Sequence, residues 1–309
     1  MRKAAMQSIY RLAQRDPRVV FLGSDLGAGT LDEMKAAMPE RWFMEGVSEA
    51  NVIGMAAGLA MEGYVPYVNT IATFLTRRCY EQVAVDLCLH NLPVRLMATG
   101  GGGVYAPLGP THMAVEDLAI MRALPNMTVV APVDPLEMER AMDASLDLAG
   151  PMYVRIAKGG EAVVTAGASF TLGTAARLRD GNEVLFVGTG VMSARALDAA
   201  ELLAGDGIDA GVLHVHTLKP FDEAALAQAV RGARLVVTVE EHTRIGGLGS
   251  AVAEVLAEHG CGVPLLRLGF PDRFSRDYGN QEHVLSVAGL QPADLRERVR
   301  ERLRVPIRA

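Results

Sequence analysis

The sequence predicts an α/β fold with two doubly wound domains, each built on a mainly parallel sheet. Two observations support this prediction: short apolar segments alternate with helical segments along the whole chain, and the composition is aliphatic. Of the 309 residues, 50% are hydrophobic but only 5% are aromatic, and 32 are glycine. Parallel strands buried on both faces have this composition, and strand–helix alternation covers both faces of a sheet with helices. The length is sufficient for two domains.

Residues 1–160 are predicted to form the first domain. Turn signals separate its apolar segments, and Asp134 followed by Glu137 indicates a capped helix start. Helices are expected near 3–15, 49–62, 74–90, 114–124 and 134–149. The predicted strands are Val19–Gly23, Val65–Asn69, Val94–Thr99, Thr128–Ala131 and Tyr153–Ile156.

A small, polar segment without periodicity follows, and we interpret residues 161–175 as a linker. A second alternating unit, residues 176–309, is predicted to form the second domain. Its strands are expected near 183–188, 211–215, 235–239 and 264–268, and its helices near 191–205, 222–231, 247–259 and 292–303.

Charge and cysteine content exclude several classes of function. The formal net charge is −6 with no basic block, so neither nucleic acid nor an anionic membrane is expected as a partner. The three cysteines show neither metal-binding nor disulfide spacing, which fits a reducing cytoplasm. There is no apolar run of about 18 residues and no apolar run typical of a signal peptide. We therefore expect a cytoplasmic protein without a membrane span and without metal ligands of its own.

Glu49 is the most informative residue, because it stands at the head of a helix that is otherwise small and apolar. Gly54 and Gly58 leave that helix with little side-chain bulk, so it can lie close to another backbone. A carboxylate at such an interface would be buried and would need a partner or a raised pKa. The alternative is a Glu that only stabilises the helix N-terminus.

Two further stretches could carry chemistry. Ser24-Asp25-Leu26 follows the first predicted strand, at the edge where such sheets bind ligands; a turn or cap Asp is the alternative. Phe74 shares a helix face with Arg77 or Arg78. An aromatic ring beside a guanidinium suits a planar ligand with anionic groups, although a core Phe with solvated arginines is the alternative.

Glycine-rich segments lie near the remaining candidates. Gly100–Gly103 follows a strand and permits close approach of a ligand or a neighbour. His112 lies just before a predicted helix and is a candidate proton carrier or a helix cap. Gly246–Gly249 could hold an anion, although close packing is the simpler explanation. We interpret His214 and His216 as structural and Glu240-Glu241-His242 as a polar rim or an interface.

Together these residues resemble the carboxyl-terminal half of transketolase, over essentially the whole chain. The motifs are the run Gly46–Gly58, the segment Thr73-Phe74-Leu75, and Gly109-Pro-Thr-His112 followed by Val115-Glu116. Full-length transketolases also carry an amino-terminal domain with a Gly-Asp-Gly…Asn motif that holds metal and pyrophosphate. This chain has no such motif, so it resembles the small subunit of a split transketolase.

The resemblance implies thiamine diphosphate as the cofactor, with Mg²⁺ held by the partner subunit. Glu49 would hydrogen-bond N1′ of the aminopyrimidine, and Phe74 would stack on that ring. Asp25 and Leu26 would contact the cofactor near its thiazolium, and Tyr80 would line the pyrimidine pocket.

The resemblance also implies the substrate site. His112 would contact substrate oxygens and assist proton transfer, and Arg2 and Arg155 match positions that bind sugar phosphate. Arg77 matches an arginine of the related deoxyxylulose-phosphate synthases. Leu108 stands where transketolases usually have an Asp that reads a substrate hydroxyl, which favours a specialised ketose or aldehyde.

The expected assembly contains two copies of this chain and two copies of an amino-terminal transketolase subunit, with the helix after Glu49 as the seam. Two enzyme alternatives are the β subunit of a 2-oxoacid dehydrogenase E1 component and a deoxyxylulose-phosphate-synthase-like enzyme. A third alternative is a non-catalytic scaffold subunit.

Overall fold

The chain forms two separate sheets. We call the part of the chain before residue 161 the first unit and the part after residue 175 the second unit. The structure, a computed structural model, describes residues 1–24, 31–276 and 278–304. The helices are α1 (Arg2–Arg15), α2 (Asp32–Ala37), α3 (Glu49–Met61), α4 (Tyr80–Gln82), α5 (Asp117–Arg122), α6 (Pro135–Ser145), α7 (Met192–Gly205), α8 (Glu223–Ala229), α9 (Leu248–Glu258), α10 (Gln281–Val287) and α11 (Pro292–Arg304). The strands are β1 (Val19–Gly23), β2 (Trp42–Met44), β3 (Val65–Ile71), β4 (Arg95–Thr99), β5 (Thr128–Val130), β6 (Met152–Ile156), β7 (Ala176–Arg179), β8 (Val184–Gly188), β9 (Ala210–His214), β10 (Thr217–Lys219), β11 (Leu235–Thr243) and β12 (Leu265–Phe270).

The first sheet has the strand order β10-β5-β6-β4-β3-β1-β2, and the second has the order β12-β11-β8-β9-β7. All pairs are parallel except β10 with β5 and β7 with β9. The predicted fold class, two α/β units with mainly parallel sheets, is confirmed. No helix within the described ranges has the length and apolarity needed to cross a membrane.

Alternating residues of the first sheet enter two different apolar clusters. Val19 and Phe21 of β1 pack with α1 and α6, whereas Val20 and Leu22 pack with α3 on the opposite face. This alternation follows from the two-residue period of a strand. The second of these clusters continues into the other unit, so the two units share apolar packing.

Several elements differ from the prediction. The three-residue strands β2 and β10 were not predicted. β10 pairs with β5 of the other unit, so its own sequence carries little signal. The predicted helix near 114–124 begins only at Asp117, because Ala114 makes bridge contacts with Gly101 and Gly102. The helix predicted near 74–90 consists of π-helical turns at Phe74–Arg78 and Val83–Leu89 on either side of α4.

The capped start of α6 is confirmed. Asp134 Oδ1 accepts the backbone N–H of Glu137 at 2.9 Å, and the Glu137 carboxylate accepts the N–H of Val133 at 2.7 Å. The second oxygen of Asp134 accepts three hydrogen bonds from Val164 and Thr165. The segment predicted as a linker has no helix or strand, but this carboxylate fixes it to the first unit.

Candidate active site

The carboxyl-terminal ends of β1, β3, β4 and β6 form one edge of the first sheet, where open α/β sheets bind ligands. Ser24 directly follows β1, and its hydroxyl donates to the Gly46 carbonyl at 2.5 Å. This bond ties the end of β1 to the segment before α3. Asp25 and Leu26, which the sequence predicts as cofactor contacts, lie outside the described residues.

Glu49 is the first residue of α3 and is only 3% exposed. Its Oε2 accepts a hydrogen bond of 2.7 Å from Nη1 of Arg78. The expectation of a buried carboxylate with a partner is therefore confirmed. The partner comes from the π-helical turn after β3, and the N-terminal end of α3 also favours a negative charge there.

An aromatic ring lies beside this ion pair. The guanidinium carbon of Arg78 is 4.3 Å from the centroid of the Phe74 ring. The His112 ring packs edge-on against Phe74 with a centroid distance of 5.3 Å. The structure thus places Glu49, Phe74, Arg78 and His112 in one group, which we call the Glu49 cluster.

Arg77 fixes the loop that carries His112. Its guanidinium donates to the carbonyls of Pro110 and Met113 at 3.0 and 2.9 Å, and forms a two-pronged ion pair with Glu116. The hydrogen bond to Glu116 raises the pKa of Arg77. The sequence predicts Arg77 as a substrate contact, but these bonds make it a brace for the loop.

Helix α5 follows this loop and begins five residues after His112. The alternative that His112 caps this helix is therefore wrong. Its Nδ1 instead shares a hydrogen bond of 2.8 Å with the Thr111 hydroxyl. Tyr80, predicted to line the pyrimidine pocket, donates its hydroxyl to the Ile120 carbonyl of α5 at 3.1 Å.

The glycine loop Gly100–Gly103 approaches protein neighbours. A Cβ on Gly101 would overlap the Arg155 side chain, and one on Gly102, whose φ is +67°, would overlap the Glu241 carboxylate. Gly103 donates its N–H to Glu241 at 2.8 Å. Glycine is needed here because two buried charged side chains pass directly against the backbone.

Arg155 lies between the two units, and its side chain is 7% exposed. It pairs with Asp117 at 3.0 Å and donates to the carbonyls of Ala114 and Glu241. Burial alone would lower the pKa of Arg155, but the charges of Asp117 and Glu241 raise it. Because its hydrogen bonds go to protein groups, we leave Arg155 out of the proposed substrate site.

A basic residue that was not predicted from the sequence follows β6 at the same sheet edge. Lys158, two residues after β6, lines a cavity of about 400 Å³ together with Glu161 and Arg195. The Glu161 carboxylate also forms an ion pair of 2.8 Å with the Met1 amino group. The adjacent Arg2 has a buried Nε without a hydrogen-bond partner. The position of Lys158 directly after a strand end was the available signal.

A buried polar chain also joins the two units. His214 Nε2 lies 2.8 Å from Glu137 of α6, and its Nδ1 lies 2.6 Å from the Ser193 hydroxyl. Sequence analysis interprets His214 as structural but does not identify this partner, because Glu137 is distant along the chain. His216 stacks on Phe170 with a centroid distance of 4.4 Å. Burial lowers the pKa of His216 to about 4.

The segment Gly246–Gly249, for which close packing was the simpler explanation, does hold an anionic group, and that group is part of the protein. The Glu240 carboxylate accepts the N–H groups of Leu248 and Gly249 at 2.7 and 2.9 Å, at the start of α9. Burial raises the pKa of Glu240. The interface interpretation of this region holds, because His242 Nε2 accepts the backbone N–H of Ala119 from the other unit at 3.3 Å.

Residues 1–160 match the family model of the transketolase pyrimidine binding domain, and residues 173–295 match the transketolase C-terminal domain. The chain therefore belongs to the transketolase family. It is 40% identical over 297 residues to the 6-deoxy-6-sulfo-D-fructose transketolase subunit SqwH of Clostridium sp. (strain MSTE9), covering 96% of this chain and 92% of that one.

Two further comparisons define the range of the family. A solved structure described as a split gene transketolase, inactive beta4 tetramer, superposes with a TM-score of 0.89 at 36% identity, covering 97% of both chains. The 1-deoxy-D-xylulose-5-phosphate synthase of Syntrophotalea carbinolica is 38% identical over 297 residues, although this chain covers only 46% of that enzyme.

The family uses thiamine diphosphate, and the Glu49 cluster offers an aromatic face beside a buried carboxylate. The Arg78 guanidinium lies on the Phe74 ring and also donates to the Glu49 carboxylate. A single flat N–H donor can therefore make both contacts at once. The hydroxyl of Thr73, next to Phe74, is buried without a hydrogen-bond partner and could serve a ligand. Among the residues that the structure describes, no group of three or more metal-ligating side chains occurs.

Proposed function

We propose that this chain is the small subunit of a thiamine-diphosphate-dependent transketolase. It would transfer a two-carbon ketol unit from a ketose or ketose phosphate to an aldose. The observation that supports this most directly is the buried Glu49 carboxylate at the start of α3, beside the Phe74 ring and His112. A carboxylate, an aromatic face and a histidine at one sheet edge suit cofactor binding and proton transfer together.

In this proposal, the cofactor supplies the nucleophilic carbon that takes up the two-carbon unit. Glu49 holds a proton at the N1′ atom of the pyrimidine, and its burial keeps water away from that contact. Phe74 stacks on the ring, and Asp25, Leu26 and Tyr80 complete the cofactor site.

His112 is proposed to act on the substrate. Its ring is partly exposed and rests against Phe74, so it can reach sugar oxygens bound beside the Glu49 cluster while its Nδ1 is oriented by Thr111. Arg77 holds the His112 loop in place through its bonds to that loop. This division separates the proton carrier from the residue that positions it.

A second polypeptide is proposed to bind the pyrophosphate and Mg²⁺. The names of the Clostridium subunit and of the split gene structure support a divided enzyme. In an assembly with two copies of each subunit, the outer face of α3 is the proposed contact between the copies of this chain. A Cβ on Gly54 or Gly58 would meet nothing within 4 Å, and the nearby Val47 and Met61 are 72% and 57% exposed. We place the complex in the cytoplasm.

The proposed substrates carry an anionic group. Lys158 lines a cavity at the sheet edge, and Arg2 has a buried Nε without a hydrogen-bond partner. The Clostridium relative is named for a sulfonated ketose. Leu108 is 53% exposed where the resemblance predicts an Asp. We expect 6-deoxy-6-sulfo-D-fructose or a related ketose to be a better donor than a central-pathway sugar phosphate. Efficient turnover with both erythrose 4-phosphate and ribose 5-phosphate as acceptors would contradict this specialisation.

Affinity purification of the tagged chain from its own cells tests the divided enzyme. A stoichiometric partner with a Gly-Asp-Gly…Asn motif is expected by mass spectrometry, and its sequence separates a transketolase from a 2-oxoacid dehydrogenase. A homodimer that purifies alone would favour the scaffold alternative.

Substitution of Glu49 tests the site in that complex. Glu49→Gln is expected to lose most ketol transfer while partner binding persists, because the amide cannot supply the proton. Asp143→Asn, at an exposed ion pair remote from the cluster, is the control. Normal transfer by Glu49→Gln would exclude the proposed catalytic role.

A synthase-like reaction is the second candidate, since the chain is 38% identical to a 1-deoxy-D-xylulose-5-phosphate synthase. The purified complex would then form 1-deoxy-D-xylulose 5-phosphate from pyruvate and glyceraldehyde 3-phosphate. Ketol transfer without this product would favour the transketolase.

A further inference from the structure

Arg78 contacts the same two side chains that the proposed function assigns to the cofactor. It donates to Glu49 at 2.7 Å, and its guanidinium carbon lies 4.3 Å from the Phe74 centroid. A guanidinium is flat, delocalised and rich in N–H donors. It therefore makes, on one ring face and one carboxylate, the two kinds of contact expected of an amino-substituted heterocycle.

The charge of Arg78 suits Glu49 only while the cofactor is absent. A carboxylate that is 3% exposed needs a partner, because an unpaired buried charge is costly. In the cofactor-free protein Arg78 supplies that partner. The proposed reaction needs the same carboxylate for the pyrimidine, so the ion pair competes with cofactor binding.

Arg78 can leave this position without disturbing the fold. Its side chain is 47% exposed, and within the described ranges its ion pair is with Glu49 alone. The preceding Arg77, by contrast, is held by two carbonyls and by Glu116. Rotation of Arg78 into solvent breaks one ion pair and one cation–π contact.

We propose that Arg78 is an internal occupant of the pyrimidine site. In the cofactor-free protein it covers Phe74 and neutralises Glu49, and thiamine diphosphate must displace it from both. Cofactor binding then removes the cation from Glu49 at the moment when that carboxylate is needed. This inference rests on the proposed assignment of Glu49 and Phe74 to the cofactor.

Calorimetric titration of thiamine diphosphate into the complex with the copurifying subunit, with Mg²⁺ present, tests the proposal. Arg78→Ala is expected to bind the cofactor about 5- to 30-fold more tightly, the range for one half-exposed ion pair plus one cation–π contact. Arg78→Met, which keeps length without charge, should show the same gain and covers the case in which the alanine variant folds poorly.

Thermal unfolding gives a second readout that does not depend on turnover. Without cofactor, Arg78→Ala should melt below wild type, since Glu49 is left buried and unpaired; with saturating cofactor the two should melt together. Arg234→Ala, which removes an exposed ion pair with Glu183 in the second unit, is the matched control and should leave cofactor affinity unchanged.

Unchanged or weaker cofactor binding by both Arg78 variants overturns the proposal, and weaker binding would mean that Arg78 holds the cofactor. Phe74→Ala and Glu49→Gln separate this result from failure of the proposed function. If both bind thiamine diphosphate as wild type does, the pyrimidine site is elsewhere and both proposals fail. If both lose affinity while the Arg78 variants match wild type, only the Arg78 inference fails.

Discussion

Asp117→Asn tests whether Arg155 is a structural or a substrate-binding residue. Asp117 is fully buried, pairs with Arg155 at 3.0 Å and accepts the Tyr153 hydroxyl at 2.7 Å. The substitution keeps the shape of the side chain but removes its charge. It therefore leaves the Arg155 guanidinium buried with its closest counter-charge gone, while the more distant Glu241 remains.

The expected loss of stability is large. Removing one partner of a buried ion pair costs about 3 to 5 kcal/mol, a large fraction of the roughly 5 to 15 kcal/mol that stabilises a typical domain. The charge of Glu241, which helps to raise the pKa of Arg155, remains in the variant. We therefore expect a loss of stability near the lower end of the range of about 3 to 5 kcal/mol. In a thermal scan this corresponds to a fall of roughly 6 to 15 °C.

Urea unfolding followed by circular dichroism measures this loss, with Asp143→Asn as the control. Asp143 pairs with Arg11 and Arg15 while 44% exposed, so its loss should cost no more than about 1 kcal/mol. A double variant that also replaces Arg155 by Met should recover stability, because no charge is then left unpaired.

A loss for Asp117→Asn no larger than that of the control would refute the structural reasoning. Arg155→Met would then be expected to raise KM for a phosphorylated sugar without destabilising the protein, as the sequence resemblance implies. Lys158→Ala provides the opposite case: it should raise KM for an anionic substrate with little change in stability, since Lys158 lines a cavity.

Three further predictions concern the seam, the His112 loop and pH. Gly54→Leu should weaken self-association and activity, and unchanged sedimentation would contradict the seam. Arg77→Ala should lower kcat about 10-fold or more with little change in Tm. Arg77→Lys should not restore kcat, because lysine lacks the planar guanidinium that holds the His112 loop. Full activity of Arg77→Lys would contradict the positioning role of Arg77. Burial lowers the pKa of His216 to about 4 in the folded protein. As pH falls below about 6.5, the unfolded chain therefore binds a proton at His216 before the folded protein does. This should lower the free energy of unfolding by about 3 kcal/mol at pH 4. Urea unfolding across that range should show a shallower pH slope for His216→Gln, and equal slopes would contradict the assignment.

Local patterns were sufficient where an element is long or has its own start signal. The capping pair Asp134 and Glu137 marks α6, and the small-residue run after Glu49 marks α3. Strand β10 was not predictable, because it is ordered by pairing with β5 and not by its own composition. The helix expected just after His112 starts later for a similar reason, since Ala114 bridges the glycine loop.

The sequence by itself determined the α/β class, the transketolase family and the choice of Glu49, Phe74 and His112 as candidates. These follow from periodicity and from motifs in which the informative residues are neighbours along the chain. Only the tertiary structure decided the partners of the charged residues: Arg78 on Glu49, Arg77 on the His112 loop, Asp117 on Arg155 and Glu137 on His214. The physical reason is that a buried charge is stabilised by whichever opposite charge or polar group the fold brings within a few ångströms. That distance depends on how strands and helices pack, and spacing along the chain does not reveal it.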